Sequence, residues 1–561
     1  MNKRAKRITW IGFAFLAALM ILWPNKAQLQ DQSHFIKDLS PLNDYPKEGN
    51  PRMEYVLYKL METYLTQGME EAREFARQRS IDMEGDFVRV VLASETGSAS
   101  EAETNMKVSL VKSQVESLGG KVETSYRQLV QSVVPLQALA ALADLQGVRY
   151  LRLPLKPYVC VTSEGVSKTG ADRYHSREPY RSEHEAKVCV LDLGFQGYQN
   201  LLGNELPSSV TTRSFRANGS LTANEKHGTA CAEIVHDMAP EAKMWLVNFN
   251  TDVEHHNAVD WIINQGVEII SYSIGWFNAG AGNGTGPICE DVKDAANSGI
   301  IWSSASGVYA EDHWEGTHSD PDGDRWHNYS GIDEIQYFYV PAYYIVSAYL
   351  NWDDWGSWNG TSYSGSNQDY DLYLYWYYGG NWYYVDRSEN WQTGWQWPVE
   401  RISGWYSTVS TYWGIAIRRY SATRNVKHEL FVRGNSQPLE YNKPEGSLIV
   451  PADSAQAIAV GATDWSDDSY HSYSSRGPTH DGRVKPDLSA PSGISCSTYG
   501  SQNFYGTSAS APHVAGAFAL LRGKTPFTYE QIKAILDARA LDLGVSGKDN
   551  KFGLGRLNLL K

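Results

Sequence analysis

Between residues 186 and 310 short apolar runs alternate with helical patterns, and the same alternation resumes near Ser447. Strands are predicted at 187–191, 244–248, 267–273, 300–304 and 457–461, with helices at 227–236, 257–265 and 508–522. Such alternation calls for an α/β domain, a parallel sheet with helices on both faces. In such sheets a functional site belongs at the carboxyl ends of the strands. A chain of 561 residues is too long for this one unit, so further units must flank or interrupt it.

Two are visible. The segment 85–157 reads strand (87–92), helix (102–118), two strands (121–126 and 129–134), short helix (135–145) and strand (148–153), the ferredoxin-like α+β order. Gly119-Gly120 supplies the stop for its first helix. Ahead of it, 31–84 reads as a polar lead-in with a helical stripe of Tyr55, Leu57, Leu60, Met61, Tyr64 and Leu65. The segment 316–445 splits the α/β domain into 158–315 and 446–561. It holds 11 of the chain's 19 tryptophans, with period-two runs at 343–352, 371–376, 412–418 and 428–432 between Gly, Asn and Ser. An inserted antiparallel β-sandwich is expected, its aromatic residues filling a core in preference to docking a surface ligand.

Lys3, Arg4, Lys6 and Arg7 precede an apolar run at 8–23 that Pro24 ends. A positive flank before an apolar stretch is an export signal, so residues 1–30 are expected to act as signal peptide or membrane anchor and to place the protein outside the cytoplasm, secreted or tethered through 8–23. The five cysteines (Cys160, Cys189, Cys231, Cys289, Cys496) are odd in number and sparse, which is no disulfide framework. A formal charge of −14 argues against a nucleic-acid partner.

Three segments carry candidate chemistry. Val188-Cys189-Val190-Leu191-Asp192-Leu193-Gly194 ends an apolar strand in a carboxylate, His227-Gly228-Thr229-Ala230 opens an apolar helix, and Gly506-Thr507-Ser508-Ala509-Ser510 delivers a hydroxyl to another helix start. Singly, each has a structural reading: a turn cap, a core histidine, a tight helix entry. Together they supply a nucleophile, a base to activate it and a carboxylate to fix the base's tautomer. The order Asp–His–Ser is the one known for subtilisin.

These segments, with Val460-Gly461-Ala462, Ser474-Ser475-Arg476-Gly477-Pro478 and Lys485-Pro486-Asp487-Leu488-Ser489-Ala490-Pro491, resemble the subtilisin-like serine peptidases (subtilases) over about 186–310 and 445–561. The resemblance implies a serine endopeptidase acting on proteins or peptides through an acyl-enzyme, with Asp192, His227 and Ser508 catalytic. It implies a zymogen whose own 85–157 unit is the inhibitory prodomain, cut off between about 155 and 165. Ser273, Ile274 and Gly275 would bind the substrate backbone, and Cys231 would lie beneath His227. Where the family places an oxyanion-binding Asn, this sequence offers Val308, or Ser306 by another count, and neither is an amide. A slow peptidase is therefore expected; the rival is an impaired, subtilase-like surface binding protein. No cofactor is required. Asp320, Asp322 and Asp324 present alternating carboxylates of the type calcium prefers, but without the later Glu of an EF-hand loop, and a solvated acidic turn is the simpler reading.

Overall fold

The computed structural model describes residues 49–560 apart from 80, 96–100, 156–157, 160–164, 178–185 and 501. The export segment at 1–30, Cys160 and most of the expected processing window lie outside the described residues. Among the described residues no helix is long and apolar enough to cross a membrane.

The central sheet has seven parallel strands in the order Leu488–Ser492, Ala457–Asp464, Ile301–Ala305, Ile269–Tyr272, Lys187–Asp192, Lys243–Asn248, Thr211–Ser214. Alternation along the Lys187–Asp192 strand sends Val188 and Val190 into one layer, with the helices His227–Met238 and Thr507–Lys524. Cys189 and Leu191 enter the opposite layer, with Asp252–Asn264 and Pro287–Asn297. Burial on both faces is why this strand is apolar at every position from Val188 to Leu191. Thr507–Lys524 is sunk so deeply that small residues are required along it. A Cβ on Gly516 would stand 2.4 Å from Cβ of Met238 on the neighbouring helix.

The two outermost strands, Thr211–Ser214 and Leu488–Ser492, were not expected. Each is an edge strand with one partner, and edges tolerate polar residues and Pro491 that no apolar-run criterion would select.

The ferredoxin-like unit forms an antiparallel sheet in the order Val148–Arg152, Phe87–Ser94, Leu129–Pro135, Lys121–Tyr126, with the helix Glu101–Ser117. The described part of the lead-in joins the same core: helices Tyr55–Gln67 and Met69–Gln78 contribute Leu57, Leu60, Ala72 and Ala76. The expected stripe is narrower than drawn, since Leu65 is 67% exposed.

The insert is a sandwich of two four-stranded antiparallel sheets. One runs His313–Thr317, Lys427–Arg433, Ile345–Trp352, Val399–Tyr406; the other runs Gln336–Val340, Thr411–Ser421, Asp369–Tyr378, Asn381–Ser388. It begins at His313, earlier than the expected border, because His-Trp-Glu-Gly-Thr has too little apolar alternation to read as a strand. Trp352, Trp413, Leu372, Leu374 and Ile415 form its core. None of the 11 tryptophans is exposed, which agrees with the core-packing expectation for them.

The ferredoxin-like unit sits against both other units. Arg152 pairs with Asp252 at 2.5 Å on the α/β domain, while the Tyr55 N–H donates to Asn390 Oδ1 (2.7 Å) and Arg149 to the Trp395 carbonyl (2.6 Å) on the sandwich.

Candidate active site

Asp192 ends the Lys187–Asp192 strand and is fully buried, its Oδ1 accepting the Leu193 N–H at 2.7 Å. His227 opens its helix directly above. The close approach depends on Gly228, where a Cβ would lie 2.6 Å from the Gly194 carbonyl oxygen and 2.8 Å from Asp192 Cβ. His227 Nδ1 lies 2.8 and 3.0 Å from the two Asp192 carboxylate oxygens. Burial alone would push this imidazole down; the adjacent carboxylate overrides it and holds the group well above its ordinary value. Cys231 stands one turn further on, its Sγ 3.9 Å from His227 Nδ1 and 3.6 Å from the Ser508 carbonyl oxygen. Burial pushes this thiol up, so it stays protonated and packs as a small apolar group. Cys189, Cys289 and Cys496 are also unbridged.

Ser508 is the second residue of Thr507–Lys524, entered through Gly506 at φ +122°, a left-handed geometry that favours glycine. Its hydroxyl donates to the Ser273 carbonyl at 3.1 Å, and Ser273 Oγ donates back to the Ser508 carbonyl at 2.8 Å. Asp192, His227 and Ser508 are thus brought to one end of the sheet, joined through Cys231 and Ser273. Immediately beyond Ser273, the short strand Ile274–Gly275 pairs antiparallel with Tyr158–Val159, the segment that follows the ferredoxin-like unit.

The two oxyanion candidates are both occupied otherwise. Ser306 is fully buried and donates its hydroxyl to the Ser475 carbonyl at 3.0 Å, so it is not available to an oxyanion. Val308 brings no donor side chain and packs against Phe277, Tyr309, Tyr349, Phe431 and Ile449. The loop between them is held by residues that the sequence motifs contain but give no role: the Gly307 N–H donates to Thr507 Oγ1 (3.1 Å), and the Tyr309 N–H to Ser475 Oγ (3.0 Å). No periodicity points to Ser475 or Thr507; they meet this loop only through the fold.

Asp320, Asp322 and Asp324 do converge, one oxygen from each lying within 4.8 Å of the others. Asp320 is already committed to Arg419 at 2.6 Å and to the N–H groups of Gly323 and Arg325, and Asp324 to the Trp326 N–H. Calcium takes six to eight oxygens, and this set fits it poorly. A buried cluster absent from the expectations lies on the other helical layer, where Asp291 meets His255 and His256.

The Subtilase family model matches residues 394–555, a stretch that starts inside the sandwich, contains Ser508 and leaves out Asp192 and His227. Subtilisin Savinase of Lederbergia lenta is 41% identical over 118 residues, 21% of this chain and 41% of that protein. An extracellular serine protease of Serratia marcescens is 48% identical over 62 residues, 11% of this chain and 6% of its own length. The chain therefore spans less than half the length of the curated relatives it matches. Among solved structures, the CspB protease of Clostridium perfringens aligns with TM-score 0.49 and 15% identity over 70% of this chain and 97% of that one. The stretch 394–555, which contains Ser508, is thus similar to the Subtilase family and to subtilisins over a minority of the chain.

Proposed function

We propose that the protein is a serine endopeptidase made as a zymogen, with Ser508 as nucleophile, His227 as general base and then acid, and Asp192 as the group that orients and charge-stabilises the imidazole. The observation that carries this reading is the Asp192–His227 pair at the head of a buried helix, with the Ser508 hydroxyl at the same sheet end beside a strand that is already paired as a substrate backbone would be. Rotation of the Ser508 hydroxyl off the Ser273 carbonyl and toward the imidazole completes the relay; such contacts commonly tighten only when substrate binds. Ser508 Oγ then attacks the peptide carbonyl, His227 Nε2 takes the proton and returns it to the leaving amine, and water releases the acyl group in the second half. The carboxylate on Nδ1 keeps the proton-accepting nitrogen facing the serine.

Extended substrate adds to Ser273, Ile274 and Gly275 by backbone pairing. The pairing of Tyr158–Val159 with Ile274–Gly275 supports a prodomain role for the unit before it, since the connecting chain occupies the substrate's place. The 2.6 Å bond from Thr251 Oγ1 to Gln131 Oε1 and the Arg127–Asp294 ion pair at 3.0 Å further dock that unit on the α/β domain. Export is part of the proposal and rests on the basic-then-apolar start and on the extracellular relative. With Val308 in place of an amide, one oxyanion donor is missing, a loss of about 10²–10³ in kcat. The backbone N–H of Ser508 remains. The enzyme is slow by this account.

A fluorophosphonate probe tests it. Full-length chain, incubated until the prodomain is cut, is expected to label at Ser508, and Ser508→Ala is expected not to label. A processed or separately expressed chain that stays unlabelled would favour the binding-protein alternative, for which the missing donor is the supporting observation.

A further inference from the structure

The cleft just described has an unusual floor. The Tyr158–Val159 pairing fixes the line along which a peptide lies on Ile274–Gly275, and the Ser508 hydroxyl touches the carbonyl of the next residue back, Ser273. A substrate residue opposite Ser273 therefore presents its carbonyl to Ser508. Beside it, between the Ile274–Gly275 strand and the loop Ser306–Val308 that follows the strand Ile301–Ala305, lies the space that its side chain would enter. Both walls of that space carry glycine, Gly275 and Gly307.

Ile449 stands in it. A Cβ placed on Gly275 would lie 1.8 Å from Ile449 Cδ1 and 2.6 Å from Cγ1; one placed on Gly307 would lie 3.0 Å from Ile449 Cγ1. The side chain thus touches both walls at once, and the residue is 3% exposed. Its backbone is pinned by the Ile449 N–H donated to the Ser306 carbonyl at 3.2 Å. It belongs to one buried apolar cluster with Phe277 and Tyr309, to which the sandwich adds Tyr349 and Phe431. Phe277 stacks on Tyr349 at 4.6 Å and meets Phe431 at 5.1 Å. Close-packed interiors do not yield a large side chain's volume without a cost in stability.

We propose that Ile449, backed by the inserted sandwich, fills the pocket for the residue preceding the scissile bond and restricts it to Gly, Ala or Ser. This goes beyond the endopeptidase reading and rests on it. Ile449 is a specificity-determining residue here, and the sandwich acts on specificity through Tyr349 and Phe431 without touching substrate.

The test compares peptides that carry Gly, Ala, Leu or Phe before the cleaved bond, using processed full-length protein whose active fraction is counted by fluorophosphonate labelling. Wild type is expected to cleave after Gly and Ala and to be at least 10-fold poorer after Leu and Phe. Ile449→Gly, and Ile449→Ala as the milder variant, are expected to raise the Leu-to-Ala ratio of kcat/KM roughly 10–200-fold, the range open to hydrophobic pockets. Wild type that cleaves after Phe or Leu as readily as after Ala would overturn the proposal, whatever the variants do. So would variants that label normally and keep the wild-type ratio. Wild type that neither labels nor cleaves would overturn the peptidase reading itself, and this proposal with it.

Discussion

The pair Asp192–His227 and the trio Asp291–His255–His256 are both buried histidine–carboxylate groups, and they lie in the two helical layers on opposite faces of one sheet. In the pair, His227 Nδ1 is 2.8 Å from Asp192, and the helix carrying Ser508 crosses beside it. In the trio, a single oxygen of Asp291 accepts from His255 Nδ1 at 2.8 Å and His256 Nδ1 at 2.6 Å. His255 is then enclosed by the rings of Phe249, Tyr272, Trp276 and Trp302, and His256 stacks on Tyr126 of the ferredoxin-like unit at 4.5 Å. Contact distances alone do not distinguish the two. What differs is the neighbourhood: the pair has the Ser508 hydroxyl and a short strand paired with Tyr158–Val159 near it, while the trio has aromatic walls. Imidazole and carboxylate within hydrogen-bond reach are therefore weak evidence of catalysis until a nucleophile and a place for the reacting carbonyl are found beside them.

Electrostatics separates them as well. His227 is held above its ordinary value by Asp192 despite burial. His255 goes the other way, pushed down first by burial, with Asp291 only partly offsetting it. Burial would raise Asp291, but two imidazoles pull it down to about 2. That carboxylate serves as an anchor that joins two helices.

The largest expected effect that would sharpen the contrast is Asp192→Asn. It keeps the shape and removes the charge, so kcat should fall by about 10⁴, a larger effect than the stability lost with the pair. Activity within tenfold of wild type would remove Asp192 from the mechanism. Asp291→Asn should do the reverse. Two buried imidazoles lose the charged acceptor they share, stability falls by about 3–5 kcal/mol in urea unfolding, and kcat of the folded fraction stays near wild type. A normally stable but inactive Asp291→Asn protein would break the distinction drawn here.

The smallest effect is a shift in pH dependence. In the proposed mechanism His227 acts as a base only when neutral, so kcat/KM should be lost as pH falls through a limb lying above 6.5, and Asp192→Asn should move what remains of that limb downward. The sign for stability is opposite. With its folded value raised, the pair stabilises fully below 6.5 and loses that contribution as pH rises through the folded value. For Asp291, with a depressed folded value, the contribution is full above 3.8 and is lost as pH falls toward about 2. Melting temperature and kcat/KM measured across the same buffers would check both, and a base limb below 6.5 in wild type would contradict the raised His227.

Legibility in the sequence followed burial. Strands covered on both faces, such as Lys187–Asp192 and Lys243–Asn248, have almost no freedom of composition and could be read within a residue. Edge strands such as Thr211–Ser214 and the entry strand His313–Thr317 have one free face or one partner, and were missed. The lead-in showed its helix but not its destination, since an apolar stripe says that a face is covered without saying by what. Among candidate site residues, Ser306 looked available until Ser475, far away in sequence, took its hydroxyl.

The sequence by itself determined the alternating strands and helices, the interruption at the sandwich, and the three segments bearing Asp192, His227 and Ser508, because strand and helix periods and turn chemistry are local properties of the chain. Only the tertiary structure decided that Ile449 fills the space between Gly275 and Gly307, that Tyr158–Val159 lies along the cleft strand, and that Asp291 gathers two histidines. Each of those is a contact between segments distant in the chain, set by how the layers pack and not by any local preference of the residues involved.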